Sequence, residues 1–147
     1  MDLSSCLAID SDGFLPLGRL IRLRWLSLYR TKVTDAALAN LAALCQRLEH
    51  LNLGACSFVH SMNRSILAIA KSNPGLISLD LWRSRNFLAD GLLQLADLCP
   101  NLRELDIGWC GPVQNRQPGC VEYLVARCHR LQKLFLTALR SHKVKKV

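Results

Sequence analysis

Cys45-Gln46-Arg47-Leu48-Glu49-His50-Leu51-Asn52-Leu53-Gly54-Ala55-Cys56 and Cys99-Pro100-Asn101-Leu102-Arg103-Glu104-Leu105-Asp106-Ile107-Gly108-Trp109-Cys110 share one layout. In each, a cysteine stands three residues before a leucine, and a second cysteine eight residues after it. Between them runs Leu-x-x-Leu-x-Leu, with Ile once in last place. Working outward, the same phrase recurs as Leu23, Leu26, Leu28, as Leu76, Leu79, Leu81, and as Leu131, Leu134, Leu136. Cys128 again precedes Leu131 by three. The starts lie 25, 28, 26 and 29 residues apart. One such phrase carries no information; five in register define a repeat.

Each period changes rhythm partway. The leucine phrase alternates with period two, as a short strand does, and the later half has helical spacing. Leu38, Leu41 and Leu44 follow Thr34 and Asp35, either of which suits a helix N-cap. Asp90 precedes Leu92, Leu95 and Leu98. Ile66, Leu67, Ile69 and Ala70 run up to Asn73-Pro74-Gly75, a helix stop. Val121, Leu124 and Val125 follow Pro118-Gly119. A unit of one strand and one helix cannot bury its own leucines, but stacked units share a continuous core. The expected fold class is α/β, a leucine-rich-repeat solenoid, with a curved parallel sheet on the concave side and helices on the convex side. The domain reading is a lead-in over residues 1–19, about five repeats over 20–141, the last incomplete, and a basic tail over 142–147.

Composition agrees. Thirty of the 147 residues are leucine, while aromatics make up 6%, so leucine fills the interior. No apolar run approaches the length of a membrane-spanning helix, and the acidic start at Asp2, Asp10 and Asp12 does not read as a secretory signal. Seven cysteines without a dense framework read as free thiols in a reducing, intracellular compartment. Cys45, Cys56, Cys99, Cys110 and Cys128 hold matching repeat positions, where a thiol packs as a small near-apolar filler; Cys6 and Cys120 stand outside that scheme. Their spacing is not that of a zinc site, and no cue pairs a thiol with a base. No metal, cofactor or catalytic residue is expected, and the chain is read as a non-enzyme. The net charge of +8 gathers near Arg19, Arg22, Arg24, Arg30 and Lys32 and in the tail. With no nucleic-acid motif beside it, it reads as solvated surface, with nucleic acid not expected as a partner.

The positions between the leucines face the concave side. They present Trp25, Ser27 and Tyr29; His50, Asn52 and Gly54; Ser78, Asp80 and Trp82, followed by Arg83 and Arg85; Glu104, Asp106, Gly108 and Trp109; and Lys133, Phe135 and Thr137. A leucine core does not require tryptophan there, and Trp, Tyr and Arg concentrate at binding hot spots. The candidate contacts are Trp25, Tyr29, His50, Asn52, Asp80, Trp82, Arg83, Asp106, Trp109 and Phe135. Asp80 and Asp106 hold equivalent positions on adjacent strands, with Arg83 or Arg103 as candidate compensating charges. No nucleophile accompanies them, so the face reads as a surface for a protein or peptide.

The cysteine layout resembles that of the F-box/leucine-rich-repeat proteins, substrate receptors of cullin-based ubiquitin ligases. The strings Leu26-Ser27-Leu28-Tyr29-Arg30-Thr31-Lys32-Val33, Leu79-Asp80-Leu81-Trp82-Arg83 and Leu131-Gln132-Lys133-Leu134-Phe135-Leu136-Thr137-Ala138 carry the likeness furthest, over roughly residues 20–141. The resemblance implies a substrate protein on the concave face, ubiquitin-dependent degradation, and Skp1 and cullin as partners reached through an F-box. Only some twenty residues precede the first phrase, so no F-box is expected within them and a fragment is the expected form. The location expected is intracellular, cytoplasmic or nuclear; a mitochondrial association is implied by the resemblance alone. The other reading is a stand-alone leucine-rich-repeat interaction scaffold without a ubiquitin role. The last strand would leave an open parallel edge, a pairing hazard, and poor solubility of the isolated chain is expected.

Overall fold

The computed structural model describes residues 1–110 and 119–138. The tail over 142–147 and Pro118 lie outside the described residues. Five three-residue strands, β1 (Trp25–Ser27), β2 (His50–Asn52), β3 (Ser78–Asp80), β4 (Glu104–Asp106) and β5 (Lys133–Phe135), form one parallel sheet in sequence order. Between them lie α1 (Asp35–Leu44), α2 (Met62–Ser72), α3 (Ala89–Leu98) and α4 (Cys120–Arg127), and a 3₁₀ helix, Asp12–Arg19, precedes β1. Each helix packs on the next along the convex side.

The register follows the leucine phrase. Leu26, Leu51, Leu79, Leu105 and Leu134 are successive partners across the sheet. The first four are at most 2% exposed. Burial of one leucine contributes about 2 kcal/mol, so the repeated triplets dominate the stability of the stack. At the last strand the shielding ends. Leu131, Leu134 and Leu136 are only half-buried, and Val125, expected on the packed face of its helix, is 51% exposed, because among the described residues no further unit packs against that side.

A second periodic device lies in the backbone. Arg30, Ala55, Arg83, Trp109 and Ala138 hold equivalent positions just beyond the strands, with φ between +54° and +61°. A left-handed residue with a side chain costs about 1 kcal/mol or more. The first four each donate a backbone N–H to the following unit (to Gly54, Trp82, Gly108 and Thr137 O) at 2.7–3.0 Å. Ser5 has the same conformation (φ +58°) and donates to Tyr29 O at 2.7 Å. Asp2 bridges to Ser27, and the Leu3 N–H reaches Ser27 O. The lead-in is therefore built on the repeat pattern. Cys6, read from sequence as outside the cysteine scheme, stands at the position of Thr31, Cys56, Ser84 and Cys110. Its N–H closes onto Leu3 O as theirs close onto Leu28, Leu53, Leu81 and Ile107 O.

The buried cysteines do more than fill space. Cys56 Sγ donates to Leu28 O at 3.0 Å and Cys110 Sγ to Leu81 O at 3.1 Å, each tying its unit to the one before. Burial pushes the Cys99 and Cys110 thiols up to about 12, so both stay protonated and able to donate. Ser84 takes the ladder position in the third unit, and its buried Oγ has no partner among the described residues. Asn73 stands where the other units place Cys45, Cys99 and Cys128. It is 1% exposed; its Nδ2 donates to Cys45 O and Ile69 O, both at 3.0 Å, and its Oδ1 accepts the Leu48 N–H at 2.8 Å. Asn73 thus joins two units as well as ending a helix.

Capping also crosses units. Thr34 is the N-cap of α1 but makes no side-chain cap bond. Asp35 instead serves the following helix: its carboxylate accepts the N–H groups of His60 (2.7 Å) and Ser61 (3.1 Å) and the Ser65 hydroxyl (2.9 Å). Asn63 Oδ1 likewise accepts the Leu88 N–H at the start of α3, at 2.8 Å.

Candidate functional site

Three rows of side chains cross the concave face. Trp25, His50, Ser78, Glu104 and Lys133 form the first row, and Ser27, Asn52, Asp80, Asp106 and Phe135 the second. Tyr29, Gly54, Trp82, Gly108 and Thr137 follow two residues beyond.

The third row alternates large and absent side chains. Tyr29 and Trp82 belong to units one and three, yet their ring centroids lie 6.2 Å apart, inclined at 37°. Gly54 of the intervening unit permits this approach: a Cβ there would stand 3.0 Å from Tyr29 Cδ2 and 3.2 Å from Asp80 Oδ1. Such a pair contributes about 1 kcal/mol beyond its burial. The Arg83 guanidinium lies 5.2 Å from the Trp82 ring centroid, within cation–π range. Both rings keep part of their surface open to the trough.

The second row is shaped by turns. Asn52 Oδ1 accepts the Gly54 N–H, Asp80 Oδ1 the Trp82 N–H and Asp106 Oδ1 the Gly108 N–H, at 2.8, 2.9 and 2.8 Å. These are Asx turns closing each strand. Asn52 Nδ2 also donates to Asp80 Oδ2 at 3.0 Å. Burial pushes the Asp80 carboxyl above its usual value, the Trp82 N–H and Asn52 amide oppose this, and the neighbouring Asp106 charge adds to the rise. Neither Arg83 nor Arg103 compensates these carboxylates, contrary to the sequence reading. The ion pairs among the described residues are Arg24–Glu49 (3.6 Å), Arg127–Asp97 (3.0 Å) and Lys133–Glu104 (2.7 Å). Arg83 turns instead to the indole.

The structure therefore gathers Tyr29, Asn52, Asp80, Trp82, Arg83 and Asp106 over β2 to β4. Phe135, 49% exposed, flanks Asp106 on β5. Trp25 and His50 pair in the first row; Trp25 is 46% exposed at the opposite edge of the sheet. Trp109, 54% exposed, sits at a left-handed position and so belongs to the rim beside the trough. Ser27 holds its place in the second row but is not open to the trough as expected, because Ser4 Oγ lies 2.7 Å from its hydroxyl and covers it. The contribution of Gly54 went unread in the sequence; its signal was the alternation Tyr29, Gly54, Trp82, Gly108.

No family model matches the chain. The chain is 40% identical over 141 residues, 96% of its length, to F-box/LRR-repeat protein 4 from Bos taurus, and it spans about a fifth (22%) of that relative. Among solved structures it is similar to the tropomodulin C-terminal domain of Caenorhabditis elegans (TM-score 0.66, 14% identity, 87% of this chain and 83% of that one). It is also similar to Leiomodin-1 Actin-Binding Site 2 (TM-score 0.64, 15% identity, 88% of this chain and 78% of that one). At such identities these two establish the shared architecture alone. The chain is thus a leucine-rich-repeat solenoid similar, over nearly its whole length, to part of F-box/LRR-repeat protein 4.

Proposed function

We propose that this chain is a substrate-recognition segment of the kind found in F-box/leucine-rich-repeat ubiquitin-ligase receptors, holding a partner polypeptide on its concave face and performing no chemistry itself. The observation that carries this reading is the 40% identity over 96% of the chain. The concave cluster supports it: an aromatic pair, a stacked guanidinium and two adjacent carboxylates form a surface suited to an extended segment with apolar and cationic side chains. In this reading Skp1 and cullin are reached through an F-box, and the bound protein is sent to ubiquitin-dependent degradation.

The test combines binding with turnover. The tagged chain is expressed in cells alongside the longer receptor and captured with its bound proteins. A Trp82→Ala/Asp106→Ala variant should lose those partners, whereas Glu122→Ala on the convex helix keeps them. If the reading holds, a partner bound by the short chain is shielded from the receptor, and its half-life lengthens. Concave-face binding without any change in half-life would favour the stand-alone scaffold. Binding indifferent to Trp82 and Asp106 would sink the site.

A further inference from the structure

Several of the cations that composition assigns to solvated surface fall along one edge of the described solenoid, the rim where the helices end and the strands begin. Arg24, Glu49, Ile77, Arg103 and Gln132 form a row there, since the N–H of each after the first bonds the carbonyl of the one before at 2.7–2.8 Å. Arg22, Arg47 and Arg130 stand just ahead of it, all exposed. The rim is most basic over the first two units. Arg24 pairs with Glu49; Arg19, Arg22 and Arg47 take part in no ion pair among the described residues. Asp12 lies at the far end of the 3₁₀ helix, about 14 Å from Arg19 along its axis.

The same corner exposes aliphatic side chains. Ile21, in the turn before β1, is 61% exposed, Leu44 46% and Leu20 36%. They share one place. Leu44 Cδ1 would lie 3.0 Å from a Cβ on Gly18, and Cys45 Sγ donates to Leu20 O at 3.3 Å. Aliphatic groups interleaved with guanidiniums suit the headgroup–acyl boundary of an anionic bilayer, where the cations meet phosphate and the apolar tips enter. A single-stranded nucleic-acid surface would offer aromatic side chains for stacking; Arg19 to Arg24 contains none, and the adjacent Trp25 belongs to the first row of the concave face. An acidic peptide would need a groove, and the hollow on this rim, lined by Arg24, Gln46, Arg47, Leu48, Glu49 and Gly75, carries the Glu49 carboxylate and none of the three exposed aliphatic side chains.

We infer that the corner formed by Arg19, Leu20, Ile21, Arg22, Leu44 and Arg47 docks this solenoid peripherally on anionic lipid, leaving the concave face free. The full chain is tested by flotation with phosphatidylcholine vesicles, with and without about one-third phosphatidylserine. Binding is expected only to the anionic vesicles and should fall with added salt. Arg22→Gln/Arg47→Gln should weaken partitioning about thirtyfold, and Ile21→Ser about fivefold, with unchanged circular dichroism. Removal of residues 142–147 should leave both ratios in place. Binding to neutral vesicles, or partitioning that the double variant leaves intact, overturns the inference. So does binding abolished by removing the tail alone. If Ile21→Ser has no effect while polyglutamate or DNA competes fully, the corner is an electrostatic site for another polyanion and the lipid assignment fails.

Discussion

Replacing Asn73 tests how the units are joined. The side chain is buried, and its amide bridges Cys45 O and Ile69 O to the Leu48 N–H. Ile69 O keeps the backbone N–H of residue 73 at 2.9 Å, so Asn73→Ala orphans two groups, the Leu48 N–H and the Cys45 carbonyl. A buried unsatisfied group costs about 1–3 kcal/mol, and the alanine variant should lose about 3 kcal/mol in all. For a chain of this size that is a fall in Tm of about 9 °C. In units three to five the leucine N–H closes onto its own unit's carbonyl three residues back: Leu76 to Asn73, Leu102 to Cys99 and Leu131 to Cys128, at 2.9–3.1 Å. Asn73→Cys should let Leu48 close onto Cys45 in the same way while filling the space, at a cost of only about 1 kcal/mol. Asn73→Asp puts an oxygen where a donor must face two carbonyls. It should be worse than alanine at neutral pH, by about 1–2 kcal/mol, and should recover as the pH falls and the acid protonates. Urea unfolding followed by far-ultraviolet circular dichroism measures all three. If the aspartate variant is no less stable than the alanine one, or cysteine costs as much as alanine, the bridging account is wrong.

Two further outcomes follow from the same geometry. Burial raises the Asp35 carboxyl, but the bonds from the His60 N–H, Ser65 hydroxyl and Ser61 N–H together hold it below its ordinary 3.8. Its contribution is therefore complete above about pH 5 and fades as the pH falls through 3.8 and below. Asp35→Ala should cost about 1–2 kcal/mol at neutral pH, and its gap to the parent should narrow as the pH falls below 3.8; a gap that does not narrow would contradict the capping assignment. Cys99 and Cys110, buried and with thiols near 12, should resist iodoacetamide in the native chain at pH 8 and react only on unfolding. The less buried Cys6 should label first, and rapid native labelling of Cys110, read by peptide mass spectrometry, would refute the ladder.

The leucine phrase made the fold legible because each strand is three residues long and its alternation is repeated without slip. What sequence left hidden is what passes between units. Asn73 and Asp35 each look like ordinary helix punctuation, since stop and cap residues have the same chemistry whether they serve their own helix or a neighbour's. Cys6 escaped because its unit lacks the leading leucines. The Tyr29–Trp82 pair was out of reach of a strand-by-strand reading. Its partners are 53 residues apart, and what brings them together is the side chain missing from Gly54.

The second row bears on function more closely than its exposure suggests. An acid at this position has a structural use, since one oxygen accepts the N–H two residues on. That use does not require charge. Asn52 closes the same turn at the same distance, 2.8 Å, as Asp106. Nor does the backbone require the turn: Ser27 and Phe135 occupy the position in the outer units, and the left-handed residues Arg30 and Ala138 still follow. Two carboxylates on adjacent strands repel each other; burial is the main cause of the raised Asp80 carboxyl, and the Asp106 charge adds to it. A neutral amide would build the same sheet without that repulsion. The charge on Asp80 and Asp106 thus exceeds what the fold needs, and an arriving cationic side chain, seated between these acids and the Trp82 ring, is the arrangement that would relieve it.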